Sequence, residues 1–315
     1  MCIRDSPGTT QGSAMCRPFP TLVSMAPSEG DDVDPVTTAA LSTLGKAIDP
    51  TTKEAAAVGG KLALNLFGPV TEELGLILRD RVRSRHVVDV VKRAEHKERG
   101  NGATEGAIPL RAAKAVLDAA EVADNEFVAE YLSGVLAAAR TPTGDDDSAV
   151  TWTALIQRLS ASQLRLHYAL CTIFRRVAAN EDRSATYKAL QKQVVIPLVA
   201  IAIFMGDQWH PVKTLEALYG LLAEGLISDR LTHGQRDFVE TAMGKSLPAT
   251  PGDWWVLNLT ERAIGLYLHA FGYGDEWIQA ALEPERDFSL PESAAVDDTI
   301  LTGFFLDDLP PLTGG

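Results

Sequence analysis

Between Leu215 and Phe271 the apolar residues change rhythm. Leu215, Leu218, Tyr219 and Leu222 recur at helical spacing, and Gly225 supplies the left-handed residue that commonly ends such a helix. Leu226-Ile227 then reads as a short strand. A polar excursion follows, and the chain resumes as Trp254-Trp255-Val256-Leu257-Asn258-Leu259-Thr260, a second strand. Thr260 is placed to cap a further helix, in which Ile264, Leu268 and Phe271 share a face. Upstream, Val194-Val195-Ile196 is β-branched, and Pro197 opens a helix to about Met205.

Helix, short strand, loop, strand and helix is the order of a winged-helix-like module with a small β-hairpin, assigned here to residues 188–282. Modules of that kind bind nucleic acid or protein and seldom carry out chemistry. Their charges separate the two. The would-be reading helix, Val212 to Glu224, sets Lys213 against Glu216 and Glu224, and the wing, Ser228 to Asp253, is also net negative. A helix that reads DNA offers arginine, lysine, asparagine or glutamine to bases and phosphates. One lysine is a poor supply, so protein contact is the better expectation.

The rest of the organised chain is helical. Phe67, Val70, Leu74, Ile77 and Leu78 are spaced by three and four from Lys53 onward, and Val87, Val88 and Val91 continue the stripe. Ile108-Pro109 opens a helix along Leu110, Ala113, Val116, Leu117 and Ala120. Asp124 or Asn125 caps the next, carrying Phe127, Tyr131, Val135 and Leu136. Trp152, Leu155, Ile156 and Leu159 form a short helix that stops at Ser160, which with Gln163 has the spacing of a capping box. Nothing alternates as strand and helix do in a parallel sheet. The fold expected is mostly α: a disordered leader over 1–52, a helical domain over 53–180, the winged-helix-like domain, and an acidic tail over 283–315. Met1-Cys2-Ile3-Arg4-Asp5-Ser6 resembles translated sequencing-adapter read-through, which leaves Met15 and Met25 as alternative starts.

Chemical motifs fail on their spacing. Gly244-Lys245-Ser246 imitates the end of a phosphate loop, but Val239 stands where the first glycine is required. Gly100 and Gly102 lie between helices, not at a strand–helix turn, and no G-x-S-x-G occurs. The six histidines have no H-x-x-x-H or cysteine partners, and Cys2, Cys16 and Cys171 form no C-x-x-C pair. No cofactor, metal or catalytic residue is implied. The reading is a cytoplasmic, non-enzymatic protein, consistent with a longest apolar run, Val194 to Met205, too short to span a bilayer.

Several of these elements also resemble the Abi-alpha family of bacterial abortive-infection proteins. The likeness rests on Glu72-Glu73-Leu74-Gly75, Ile108-Pro109, the Asp124 to Ala138 helix with Tyr131 and Leu132, and Leu155 through Leu159-Ser160. The resemblance implies a helical domain and a role in phage defence, and supplies no catalytic residues.

Two segments carry candidate contacts. Arg79 to Arg99 holds eight basic and four acidic residues in a chain of net charge −13, which makes Arg79, Arg83, Lys92 and Lys97 candidates for phosphate contact. A nucleic-acid-binding regulator using this stripe or the winged helix is the alternative function. In the tail, Phe304, Phe305 and Leu306 sit among acidic residues, a composition suited to docking on a protein partner or to tucking back on its own domain. As a solvated tail, Glu283 to Gly315 is expected to be removable without loss of fold.

Overall fold

The computed structural model describes residues 84–101, 106–181, 186–291 and 297–312. The expected leader, the helix from Lys53, the Glu72 to Gly75 motif, Arg79 and Arg83 lie outside these residues. Five helices come first: α1 (Arg85–Gly100), α2 (Leu110–Ala120), α3 (Glu126–Ala138), α4 (Ser148–Arg158) and α5 (Ala161–Val177). After them come α6 (Thr186–Gln191), β1 (Val194–Pro197), α7 (Leu198–Met205), α8 (Pro211–Ala223), β2 (Thr232–Gln235), α9 (Arg236–Met243), β3 (Asp253–Leu257), α10 (Glu261–Ala270) and β4 (Phe304–Phe305). The protein is mostly helical, with a four-stranded antiparallel sheet in the order β2-β3-β1-β4.

The helix starts follow local chemistry. Asn125 accepts a hydrogen bond from the Phe127 amide, and Thr260 Oγ1 accepts one from Ala263. Ser160 and Gln163 satisfy each other's backbone amides, so two of the donors at the start of α5 are paired. Pro109 precedes α2, Pro197 precedes α7, and Gly225 and Gly244 take left-handed φ values of 70° and 66° just past α8 and α9.

α3 is the axis of the helical part. It packs on α1, α2, α4, α5 and α10, and its face carries Tyr131, Leu132, Val135 and Leu136, all buried. At Gly134 it crosses α10 with no room for a side chain: a Cβ there would stand 1.8 Å from the Ala270 carbonyl oxygen. The Abi-alpha-like residues among those described, Ile108, Tyr131, Leu132, Leu155, Ile156 and Leu159, are buried, and Ser160 is a cap. They specify packing.

Three expectations need correction. Leu226-Ile227 is not a strand but one isolated bridge, Ile227 to Leu259; the strand is Thr232–Gln235, and the segment expected to be a wing contains helix α9. α9 has an apolar stripe, Phe238, Val239, Ala242 and Met243, but at eight residues it spans only about two turns and in sequence reads as part of the wing. α8 packs on α5, with Leu218 and Leu221 buried and Leu222 half-buried, so its inner face is turned one residue from the expected one.

The third correction is the tail. Phe288, Leu301, Phe305 and Leu309 are buried, and β4 completes the sheet by pairing Val194 with Phe305 and Val195 with Phe304. One apolar cluster runs from Val87 to Phe305 across residues 180–188, and a second, smaller one of Val195, Val239, Leu247, Trp254, Val256 and Leu309 packs on the sheet. Leu301, Phe305 and Leu309 turn in at intervals of four while Glu285, Asp287, Asp297, Asp307 and Asp308 stay exposed, which charge counting cannot reveal.

Candidate functional site

The basic stripe is largely neutralised where it is described. Arg93 pairs with Asp89 at 2.9 Å and Glu130 at 3.3 Å, and also with Glu126; Arg99 pairs with Glu95, and Glu98 with Arg140. Lys97 is buried to all but 12% of its side chain. Its ammonium lies 2.5 Å from Glu130 Oε1 and donates to the carbonyls of Glu130 (3.0 Å) and Ala270 (2.6 Å). It also sits over the Phe271 ring, while Asn101 donates to the Phe271 carbonyl. Burial lowers the Lys97 pKa against the pull of Glu130. Lys97 therefore closes the carboxy-terminal end of α10, and its assignment as a phosphate contact is corrected on that ground. Lys92 is exposed, as is Arg85, and neither joins an ion pair among the described residues.

The tail triad is likewise engaged within the molecule. Phe305 packs edge-on against Phe174 under the Lys192 ammonium, Leu306 is half-buried, and Phe304 is exposed at 37%. The docking site these residues occupy belongs to their own sheet.

A different surface gathers on the sheet side. Tyr219 on α8 adjoins His233 on the edge strand β2, and Phe238 on α9 lies against the opposite face of that strand at Gly234. The Tyr219 hydroxyl lies 3.1 Å from His233 Nε2, with the rings edge-on at 6.1 Å. Phe238 lies over Gly234, where an added Cβ would meet its ring at 3.0 Å. Both aromatics remain open to solvent, 46% for Tyr219 and 58% for Phe238, and Val212 extends the exposed strip along α8. Leaving two aromatic rings exposed forgoes the gain that their burial would bring. Sequence reasoning placed Tyr219 on the inner face, because its spacing from Leu215 and Leu222 fits the stripe.

Buried polar groups form a second feature. His167 Nε2 lies 3.0 Å from the Ala263 carbonyl, and Nδ1 lies 2.7 Å from the Tyr131 hydroxyl, whose other acceptor, the Leu164 carbonyl, is at 3.2 Å. The tyrosine has one proton and an acceptor on either side. The shorter contact gives it to Nδ1, so the imidazole is neutral with its proton on Nε2. Burial lowers the His167 pKa to about 4, against the Ala263 carbonyl, and raises that of the Cys171 thiol beside it. A neutral imidazole and a protonated thiol sealed from solvent make a packing network and no nucleophile.

A third feature is a cleft of about 490 Å³ between α5 and the segment after α10. Arg175, Arg176 and Arg286 line it with Tyr168, Thr172, Tyr267 and Phe288. Arg176 pairs with Asp298 at 2.7 Å, and Arg286 with Glu276 at 2.6 Å and Glu283 at 2.9 Å. Arg175 donates to the Ala281 and Glu283 carbonyls and lies 4.0 Å from the Phe288 ring centre. Thr172 Oγ1 and Tyr267 OH are buried and meet no partner in hydrogen-bonding geometry. Burial raises the Tyr267 pKa, opposed by nearby Arg175 and Thr172.

Among the described residues no three metal-ligating side chains gather, and no helix is long and apolar enough to cross a membrane. Comparisons with protein-family models, curated proteins and solved structures return no match.

Proposed function

We propose that the protein acts by binding another protein that wraps the edge strand β2 and meets the exposed rings on its two faces, Tyr219 from α8 and Phe238 from α9. The observation that carries this is the pairing of exposure with order at Tyr219 and Phe238: each ring is held by a neighbour yet stands in solvent. Preordered aromatic anchors lose little conformational freedom on association and dominate the energetics of protein interfaces. The connectivity supports reading β1, α7, α8, β2 and β3 as a winged-helix-like module, since two helices join β1 to β2 and β3 lies between those strands. In that reading α8 is the recognition helix, and its exposed charges are Lys213 and Glu216. A partner that complements the face presents aliphatic side chains flanked by lysine or arginine, to meet Glu216 and Asp237.

A role in phage defence follows from the Abi-alpha resemblance, and the module supplies its contact surface. The test is a phage challenge of cells expressing the full chain, beside photo-crosslinking from position 238. Tyr219→Ala with Phe238→Ala is expected to abolish both protection and a discrete protein adduct, with the unfolding midpoint unchanged. Affinity for mixed-sequence DNA or RNA at physiological salt is expected at about 10⁻⁴ M or poorer. Tight, salt-sensitive nucleic-acid binding lost on Arg85→Ala with Lys92→Ala would instead establish the regulator reading.

A further inference from the structure

The sheet has two edges, and they are built differently. β4 is two residues long and runs at once into Asp307, Asp308, Pro310 and Pro311. Shortness, charge and proline are the devices that keep a strand edge from pairing with another chain. β2, at the other edge, has four residues, Thr232-His233-Gly234-Gln235, with no proline, lysine, arginine or carboxylate among them. All four are at least partly open to solvent. Beyond its pairing with β3, no backbone hydrogen bond from β2 to another element is seen among the described residues. Alternate residues of an antiparallel pair turn their N–H and C=O groups away from the partner strand, so the outer side of β2 presents unused donors and acceptors.

We infer that the partner adds a strand to β2, and that this strand is an extended segment with two adjacent aliphatic residues between basic ones. The inference rests on the protein-partner reading above and names the form the partner takes. An added strand lies about 4.8 Å outside β2, and its side chains point to the two faces in turn. The residue opposite His233 falls on the face of Tyr219, and the residue opposite Gly234 on the face of Phe238. Two neighbouring residues therefore meet one ring each, and β-branched side chains suit both the strand and the aromatic contact. Charge selects the flanks. Glu216, Asp229, Asp237 and Asp253 lie on the segments that frame the edge, against Lys213 and Arg230, and none of the six joins an ion pair among the described residues. A second copy of the chain would bring the same negative excess, so a basic segment is the better complement.

The probe is a blocked hexapeptide, Arg-Thr-Ile-Val-Thr-Lys, with an expected Kd on the order of 1 mM. At about 5 mM it is expected to slow hydrogen exchange of two alternate amides among Thr232 to Gln235 about fivefold in the full chain, as mass action at that occupancy requires. N-methylation of its four central amides keeps every side chain and removes the donors, and is expected to weaken binding at least tenfold. Glutamate in place of its arginine and lysine is expected to weaken binding about fivefold. Unchanged binding of the methylated peptide would overturn strand addition while leaving the two rings as side-chain contacts. Binding indifferent to Tyr219→Ala with Phe238→Ala would instead remove the partner reading on which the inference rests. Equal binding of the acidic peptide, or no slowing of exchange at about 5 mM, also overturns it. So does a chain that sediments as a dimer alone and as a monomer with the peptide, which would give the edge to a second copy.

Discussion

Lys97 and Lys92 lie five residues apart on α1 and have opposite environments. Replacing Lys97 by methionine keeps the aliphatic stem but leaves Glu130 with the more distant Arg93 and removes a donor from the Ala270 carbonyl. Breaking a buried pair from one side costs about 3–5 kcal/mol. Lys97→Met is expected to lower stability by about 3 kcal/mol in urea unfolding, toward the low end because Arg93 remains. Lys92→Ala is expected to change it by less than about 0.5 kcal/mol. His167 gives a second test at this scale. Burial lowers its pKa from 6.5 to about 4 in the folded protein, whereas the unfolded chain takes up a proton near 6.5. The unfolded state therefore binds more protons in that window, so this contribution is intact above pH 6.5 and is lost as pH falls toward 4. At 1.36 kcal/mol per unit the loss approaches about 3 kcal/mol. The difference in stability between the wild type and His167→Gln, measured at several pH values, is expected to shrink across that window. A constant difference would exclude His167 as the source.

At the scale of elements, Gly134 sets the distance between α3 and α10. Glycine to alanine inside a helix normally gains about 1 kcal/mol. Here the added methyl would fall on the Ala270 carbonyl, which is rigid backbone, so Gly134→Ala is expected to lose stability by several degrees of melting temperature. A raised midpoint would mean that the helices part freely. The contrast explains what was legible beforehand. Pro109, the Ser160–Gln163 box, Thr260 and Gly225 act on neighbours within a few residues, and each end they announce is present. Gly134 and Lys97 act on residues 136 and 173 positions away, and nothing local marks them. α9 was hidden for a different reason: its apolar stripe, Phe238, Val239, Ala242 and Met243, is only about two turns long. Arg175, Thr172 and Tyr267 converge only after α5 and α10 have packed, which no spacing along the chain encodes.

For the whole molecule, the segment after α10 is part of the core. Phe288 stacks on Tyr267 at 4.8 Å, Phe305 meets Phe174, and Leu301 and Leu309 are buried. Four such side chains at about 1.5–3 kcal/mol each rival the entire stability of an ordinary domain. Deleting residues from Glu283 onward is thus expected to abolish the cooperative thermal transition. A truncated protein that still melts sharply would make the tail dispensable. The position of β1 in the sheet has a consequence for the order of events in synthesis. Val194 pairs with Leu257 on one side and with Phe305 on the other, the latter more than a hundred residues downstream. While the chain is being made, the helices α1 to α5 can find partners among segments already emerged, but β1 waits with one flank open until the last strand arrives. Non-local closure of this kind is slow, and an unpaired strand flank invites a neighbouring chain to fill it. Nascent copies held close together, as on one crowded messenger, are therefore the setting in which β1 of one chain would capture β4 of another.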